Sequence, residues 1–308
     1  AAFRPEVKAK LTQAGLLMPT VQMIFRMSNK QVETPDDYRT GKAHPTVFDG
    51  KQIDMVKMVN MAHEMTTETL PPFCQIEVVE EDLGKVGRDY FDVGPREKFF
   101  DTPCAIARIV KSKSYEKRMV LSAEKSRDLT GKPLTYHWTV LRGDAERITI
   151  KPLNKEASRV ELVVPYHTRQ PIAEGSSMES NRVDIGVFVH NGQFNSPPAF
   201  VSLFYLDNES RTYDDQQRIL AIDYRADATR NNYVDPLLDT PKDWRDDYHY
   251  DADGKLTGWT RTRNDSVQEF TADGKLRIEP GKTVDVRYTT ERLPNGKFLL
   301  KQDPIEKE

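Results

Sequence analysis

The chain has 308 residues, enough for two domains or one large one with a sizeable core, so a tethered peptide is excluded. Lys and Arg number 45 against 48 Asp and Glu, a formal charge of −3, and without a global basic field nonspecific nucleic-acid binding is disfavoured. Apolar windows such as Ala199 to Leu206 are far shorter than the roughly 20 residues of a membrane-spanning helix, so no membrane span is expected.

Residues 1–100 read as a mixed segment of helix and strand. The opening Ala1-Ala2-Phe3 lacks an initiator Met and fits a processed mature protein or a piece of a longer one. Pro5 suits a first helical turn, Val7, Leu11 and Ala14 share a face, and Gly15 can end the helix, which predicts a helix over 5–14. Val21, Met23 and Phe25 alternate, as a strand or an apolar turn of helix would. From Asp49 to Met65 a capped helix is expected. Ile53, Met55, Val56, Met58, Val59, Met61, Ala62 and Met65 cover more than half its circumference, which predicts that it is largely buried. Thioethers suit Cu(I), but methionines at helical spacing point to core packing instead. Pro71-Pro72 stops this helix, and Gln75 to Val78 begins a strand that leads into the acidic run Glu80, Glu81, Asp82, expected as a solvated turn. Cys74 and Cys104 form neither a CxxC pair nor a zinc cluster; they are buried small hydrophobes or a single disulfide.

Between 101 and 206 the apolar period changes to two. Strands are predicted at 105–111, 118–123, 134–141, 148–150, 160–164, 183–190 and 199–206, a set the size of a seven-stranded sandwich. Leu134, Tyr136, Trp138 and Val140 share one face, and Val183, Ile185, Val187 and Val189 another, so Trp138 is expected between two sheets as a core anchor. The progression Ser126, Asp128, Gly131, Pro133-Leu134, Tyr136, Trp138, followed by a strand ending at Asn191-Gly192, resembles the polycystic-kidney-disease (PKD) type of immunoglobulin-like domain. That resemblance covers about a third of the chain. It departs from the family at Leu141 to Asp144, where Gly-Asp-Gly is usual, and in an insertion from about His167 to Asn181. The Arg142-Gly143-Asp144 triplet matches an integrin-binding loop, although triplets recur by chance.

From 207 to 308 a weak repeat of aromatic or apolar residue, turn, basic residue and apolar residue recurs at Tyr213, Tyr250, Phe270 and Leu293. Asp253-Gly254, Asp273-Gly274 and Asn295-Gly296 supply the positive φ angles that two-residue hairpin turns need, so a meander of β-hairpins is expected. These segments resemble the tyrosine–aspartate (YD) repeats of bacterial surface and secreted proteins. The fold class expected overall is mainly β: an immunoglobulin-like antiparallel β-sandwich over 101–206, a helix-containing N-terminal segment over 1–100, and a C-terminal β-hairpin meander over 207–308.

Chemical signatures are sparse. An EF-hand loop around Gly254 fails, because its first and twelfth positions fall on His249 and Thr260. The sequence calls for no cofactor; calcium is the ion its sandwich loops admit, with Asp128 as candidate ligand. Six scattered histidines make no zinc motif, and nucleophile-elbow, Walker, dinucleotide and haem signatures are missing. Asp235, Asp239, Asp243, Asp246 and Asp247 beside Trp244 and Tyr248 suit a paired-carboxylate glycosidase cleft or a solvated loop. Trp244, Tyr248, Tyr250 and Trp259 are either flat rings for stacking on sugars or packing for the meander. The function expected is that of a secreted, cell-surface or periplasmic accessory protein, non-catalytic, that binds a protein partner or a polysaccharide. The alternative is the C-terminal part of a larger secreted hydrolase, or a carboxylate-dependent glycosidase.

Overall fold

The computed structural model describes residues 2–45, 48–91, 94, 96–225 and 232–305. Three helices come first: α1 (Pro5–Gln13), α2 (Leu17–Met27) and α3 (Met55–Glu64). In α1 Pro5 occupies the first turn, where its missing N–H costs nothing, Val7 and Leu11 are buried, and Gly15 follows at φ +72°. The stretch around Val21 to Phe25 is helix: α2 buries Thr20, Met23 and Ile24 at three- and four-residue spacing. α3 is shorter and wetter than the expected Asp49–Met65 helix. Asp49 caps only a 3-10 turn over Gly50–Gln52, and the helix starts where the Asp54 carboxylate accepts from the Lys57 N–H at 3.0 Å. Met55, Val56 and Val59 face outward, while Met58, Met61 and Met65 pack inward.

The next strands are β1 (Glu77–Glu81), β2 (Lys98–Thr102), β3 (Ala105–Ile109), β4 (Glu116–Ser122), β5 (Thr135–Arg142), β6 (Thr149–Pro152), β7 (Arg159–Pro165), β8 (Gln170–Pro171), β9 (Glu179–Ser180), β10 (Val183–His190) and β11 (Ala199–Phe204). They form a sandwich of one sheet in the order β1-β4-β7-β6 and another in the order β2-β3-β11-β10-β5, with β8 and β9 as a separate small hairpin. All seven strands expected between 101 and 206 are present. Two more, β1 and β2, which both begin before residue 101, join as edges. Pairing is antiparallel throughout except between β3 and β11, which run parallel. Glu80 and Glu81 belong to β1 rather than to a solvated turn, because Glu81 meets the fully buried Arg108 guanidinium at 2.6 Å and Lys117 at 3.8 Å. Both thiols are free, with Cys74 buried in the sandwich core and its pKa pushed by burial up to about 12.

β10 is buried on both faces. Val183, Ile185, Val187 and Val189 fill the space between the sheets, and Phe188 on the other face packs against Tyr38 and His44 of the N-terminal segment, ring centroids 5.6 and 5.4 Å away. The helical segment is therefore a third layer on the outer face of the five-stranded sheet. Trp138 packs on the inter-sheet core as expected but is only half-buried, since β5 is an edge strand; its indole N–H donates to the Ala157 carbonyl at 2.9 Å.

The last strands are β12 (Ser210–Tyr213), β13 (Ile219–Asp223), β14 (Arg245–Tyr250), β15 (Leu256–Arg263), β16 (Ser266–Thr271), β17 (Leu276–Glu279), β18 (Lys282–Arg292) and β19 (Phe298–Ile305). They form one sheet in chain order, the up-and-down meander that the repeat predicts. Four turns, at 214–218, 251–255, 271–275 and 293–297, close alike: the first residue's N–H donates to the fifth carbonyl at 2.8–3.0 Å and the fourth N–H to the first carbonyl at 2.9–3.0 Å. These are three-residue loops rather than two-residue ones, with the fourth residue left-handed: Gly254, Gly274, Gly296 and, at φ +61°, Gln217.

Candidate functional site

A polar cleft lies at one end of the sandwich, where β5 runs out and β10 begins. Arg142 closes β5, and Arg182 precedes β10; the third wall is the 167–181 insertion with its β8–β9 hairpin. The cleft encloses about 470 Å³. Its floor is set by Gly143 at φ +104°, where a Cβ would come within 2.9 Å of Val183 Cγ2, so the turn folds tightly onto His167. The Asp144 backbone N–H donates to His167 Nε2 at 3.1 Å, and His167 Nδ1 lies 2.6 Å from the Pro165 carbonyl, which makes it the protonated nitrogen of a neutral ring. Burial holds His167 below its ordinary pKa against the pull of that carbonyl. With both nitrogens committed, His167 is a structural post and not a free base.

Arg142 Nη1 donates to Asp235 Oδ1 at 2.7 Å, and its Nε is 3.6 Å from Asp184 Oδ2. Ser180 Oγ donates to Asp235 Oδ2 at 2.6 Å. Arg182 Nε donates to Asp184 Oδ1 at 2.7 Å, and its guanidinium lies 4.7 Å above the Phe204 ring. These pairs fix both forks in place and orient their remaining N–H groups. The same two arginines and Leu141 also line a second pocket of about 260 Å³ on the outer face of the five-stranded sheet, completed by Arg26, His44, Pro45, Asp184 and Phe200. Two cationic side chains thus stand between two adjoining cavities. Such a site can bind anions at its arginine end, while Asp144 and Glu146 place carboxylates on the wall of the larger cleft.

The residues singled out from sequence lie elsewhere. Trp244, Tyr248 and Trp259 are buried in the meander core with Phe91 and Phe270, and Tyr250, packed at its margin, donates its hydroxyl to the Ile219 carbonyl at 2.9 Å. Trp259 stacks on Phe270 at 5.1 Å, so these faces meet protein rather than solvent. Alternation along β14 explains this: Trp244, Asp246 and Tyr248 point in while Arg245 and Asp247 point out. The aspartates are each engaged with cations: Asp235 with Arg142, Asp239 with Lys111 and Lys242, Asp243 with Arg263, Asp246 with Arg261, and Asp247 with Arg245. Asp128 caps its own turn. Its Oδ1 accepts from the Thr130 N–H at 2.8 Å and the Lys132 N–H at 3.1 Å, and its Oδ2 from Asn191 at 2.7 Å. Burial opposes ionisation of this carboxyl, but the Asn191, Thr130 and Lys132 hydrogen bonds outweigh it and hold its pKa low. A calcium ion there would have to displace those donors, and among the described residues no group of three or more His, Cys, Asp or Glu is arranged for a metal. The Arg142-Gly143-Asp144 triplet is folded into the cleft wall rather than presented as a loop tip.

Sequence reasoning did not select Arg26, His44 or Arg182, which α2, a loop and the start of β10 bring together; the departure at Leu141 to Asp144 and the insertion after His167 are the local signals that marked this end of the sandwich.

No family model matches the chain, and no curated protein matches it. Among solved structures, a nucleoside hydrolase-related hypothetical protein from Saccharophagus degradans, described as associated with carbohydrate metabolism, aligns over 48% of this chain and 29% of its own, at 11% identity and a TM-score of 0.26. At that score the likeness carries no argument about fold or function.

Proposed function

We propose that the chain is a non-catalytic binding protein of the secreted or cell-surface kind, and that the cleft beside Arg142 and Arg182 takes an acidic polysaccharide. The observation that carries this reading is the pair of guanidinium forks, each anchored through one edge by Asp235 or Asp184 and lining an open polar cleft. An anchored fork recognises carboxylate or sulfate groups at little further entropic cost. The glycosidase reading has weaker support, since the acids it needs stand in ion pairs that remove both a free base and a proton donor.

Polygalacturonate and its methyl ester share one backbone and differ at the carboxyl groups, charged in the first and capped by a neutral methyl ester in the second, and provide the test. Affinity electrophoresis is expected to retard the protein in the free-acid gel and not in the ester gel, with Arg182→Gln weakening the retardation at least tenfold. Equal mobility in both gels, or an unaltered variant, overturns the proposal.

A further inference from the structure

The smaller pocket between the helical layer and the sheet holds two side chains whose bonding is incomplete. Arg26, from the last turn of α2, is half-buried and donates Nη1 to the Ala43 carbonyl at 2.9 Å; among the described residues no carboxylate pairs with it. His44 is only 8% exposed, and among the described residues neither Nδ1 nor Nε2 makes a hydrogen bond of ordinary geometry, the Tyr38 backbone offering only a weak contact. Phe188 and Tyr38 pack against the ring, centroids 5.4 and 5.3 Å away, and fix it in place. Buried polar groups are ordinarily satisfied and buried cations ordinarily paired. Both exceptions line one cavity of about 260 Å³, together with Arg142 and Arg182. Among the described residues the one carboxylate lining it is Asp184, which is shared between those two arginines at 3.6 and 2.7 Å.

We propose that this pocket is a binding site for a single oxyanion group of the carboxylate, sulfate or phosphate type, which accepts hydrogen bonds from Arg26 and from the N–H of a neutral His44, with Arg142 and Arg182 completing a cationic rim. One acceptor group would satisfy the unpaired fork and the unpaired ring together, which no side chain of the pocket does. The inference deepens the acidic-ligand reading of the adjoining cleft by naming where an acid group would seat, and rests on it only for the larger body of that ligand.

The test uses the whole chain with inorganic sulfate, phosphate and acetate as separate probes, followed by calorimetric titration and by the ring nitrogen signals of His44 in NMR spectra at neutral pH. The expected result is saturable one-to-one binding of at least one probe, with the His44 signals moving in proportion to occupancy. Arg26→Gln should weaken it at least tenfold, and Arg26→Lys, which retains charge without the fork, less severely. If His44 signals stay still at saturating probe, or Arg26→Gln binds as the parent does, the proposal is overturned; the parent spectra decide even where a variant folds poorly. Failure on polygalacturonate with sulfate binding intact would remove the polysaccharide reading and keep this site, and the converse would remove this site alone.

Discussion

Burial of His44 has a thermodynamic consequence that can be measured without any ligand. Desolvation, helped by the neighbouring Arg26 charge, lowers its pKa from 6.5 to about 3 in the folded protein. As pH falls, the unfolded chain therefore takes up this proton first, so the stability that His44 contributes is complete above pH 6.5 and is lost progressively between 6.5 and about 3. The slope is about 1.4 kcal/mol per pH unit for one such group. Burial lowers His137, His167 and His190 as well, so the informative quantity is the difference between the parent and His44→Gln. Unfolding free energies from urea titrations between pH 6.5 and about 4.5 should fall less steeply in the variant by about that amount. Neighbouring acids on β14 give a second contrast at this scale. Asp246 receives Arg261 Nε and Nη2 at 2.7 Å each, and that guanidinium lies 4.1 Å over the Trp244 ring and 4.9 Å over Phe270, all fully buried. Asp246→Ala strands a buried cation among aromatic rings and should cost about 3–5 kcal/mol. Asp247→Ala breaks only an exposed pair with Arg245 and should cost under about 1 kcal/mol by the same denaturant titration. Equal effects would mean that the acid cluster is the solvated loop that composition alone suggests.

The four matching turns of the meander show how an element's conformation constrains its residues. Three place glycine at the left-handed position; the fourth places Gln217 there at φ +61°. Gln217→Gly should stabilise by about 0.5 kcal/mol, the relief of left-handed strain offset in part by backbone entropy. Gly274→Ala should do the reverse, and more strongly. Its Cβ would come within 2.0 Å of the Gly87 carbonyl oxygen, so strain and steric overlap together should cost about 2 kcal/mol or more in thermal or urea unfolding. That turn signal was legible from Asp-Gly and Asn-Gly because it is local, and the seven sandwich strands were legible from alternation for the same reason. α3 was overread because apolar residues cover its circumference, yet Met55, Val56 and Val59 have no layer above them. β2 went unseen because Lys98 to Thr102 is an exposed edge with no apolar alternation. The cleft was illegible for a deeper reason: Arg142 and Arg182 acquire their roles from the β5–β10 register, where Arg142 faces Asp184, and Arg26 from a helix laid over the sheet. No spacing rule along the chain encodes those meetings.

At the scale of the molecule, the meander is joined to the sandwich through buried charge as well as apolar area. Phe91, from the segment between β1 and β2, sits in the meander core beside Trp259 and Tyr288, ring centroids 5.4 and 5.2 Å away. Lys113, just after β3, donates to the Arg88 carbonyl at 2.6 Å and lies 4.8 and 5.1 Å over the Tyr248 and Trp259 rings; burial lowers its pKa to about 8, with Asp89 opposing. Arg211 of β12 reaches back to the Ser112 carbonyl at 2.6 Å while paired to Glu209, and Lys111 meets Asp239, which Lys242 also holds. Splitting the two units would break the buried Lys111–Asp239 pair and the Arg211–Ser112 hydrogen bond and take Lys113 off the Tyr248 and Trp259 rings, at a combined cost on the order of several kcal/mol. Unfolding one unit while the other stands is therefore disfavoured, and scanning calorimetry should record one transition with calorimetric and van't Hoff enthalpies in agreement. Asp239→Ala should lower that transition by an amount equivalent to about 3–5 kcal/mol and leave it single, because it removes the buried carboxylate that sits between the Lys111 and Lys242 charges in the shared seam. Two resolved transitions in the parent would show instead that the seam is a loose contact between independent domains, in which case ligand held at the sandwich rim would stabilise only the first of them.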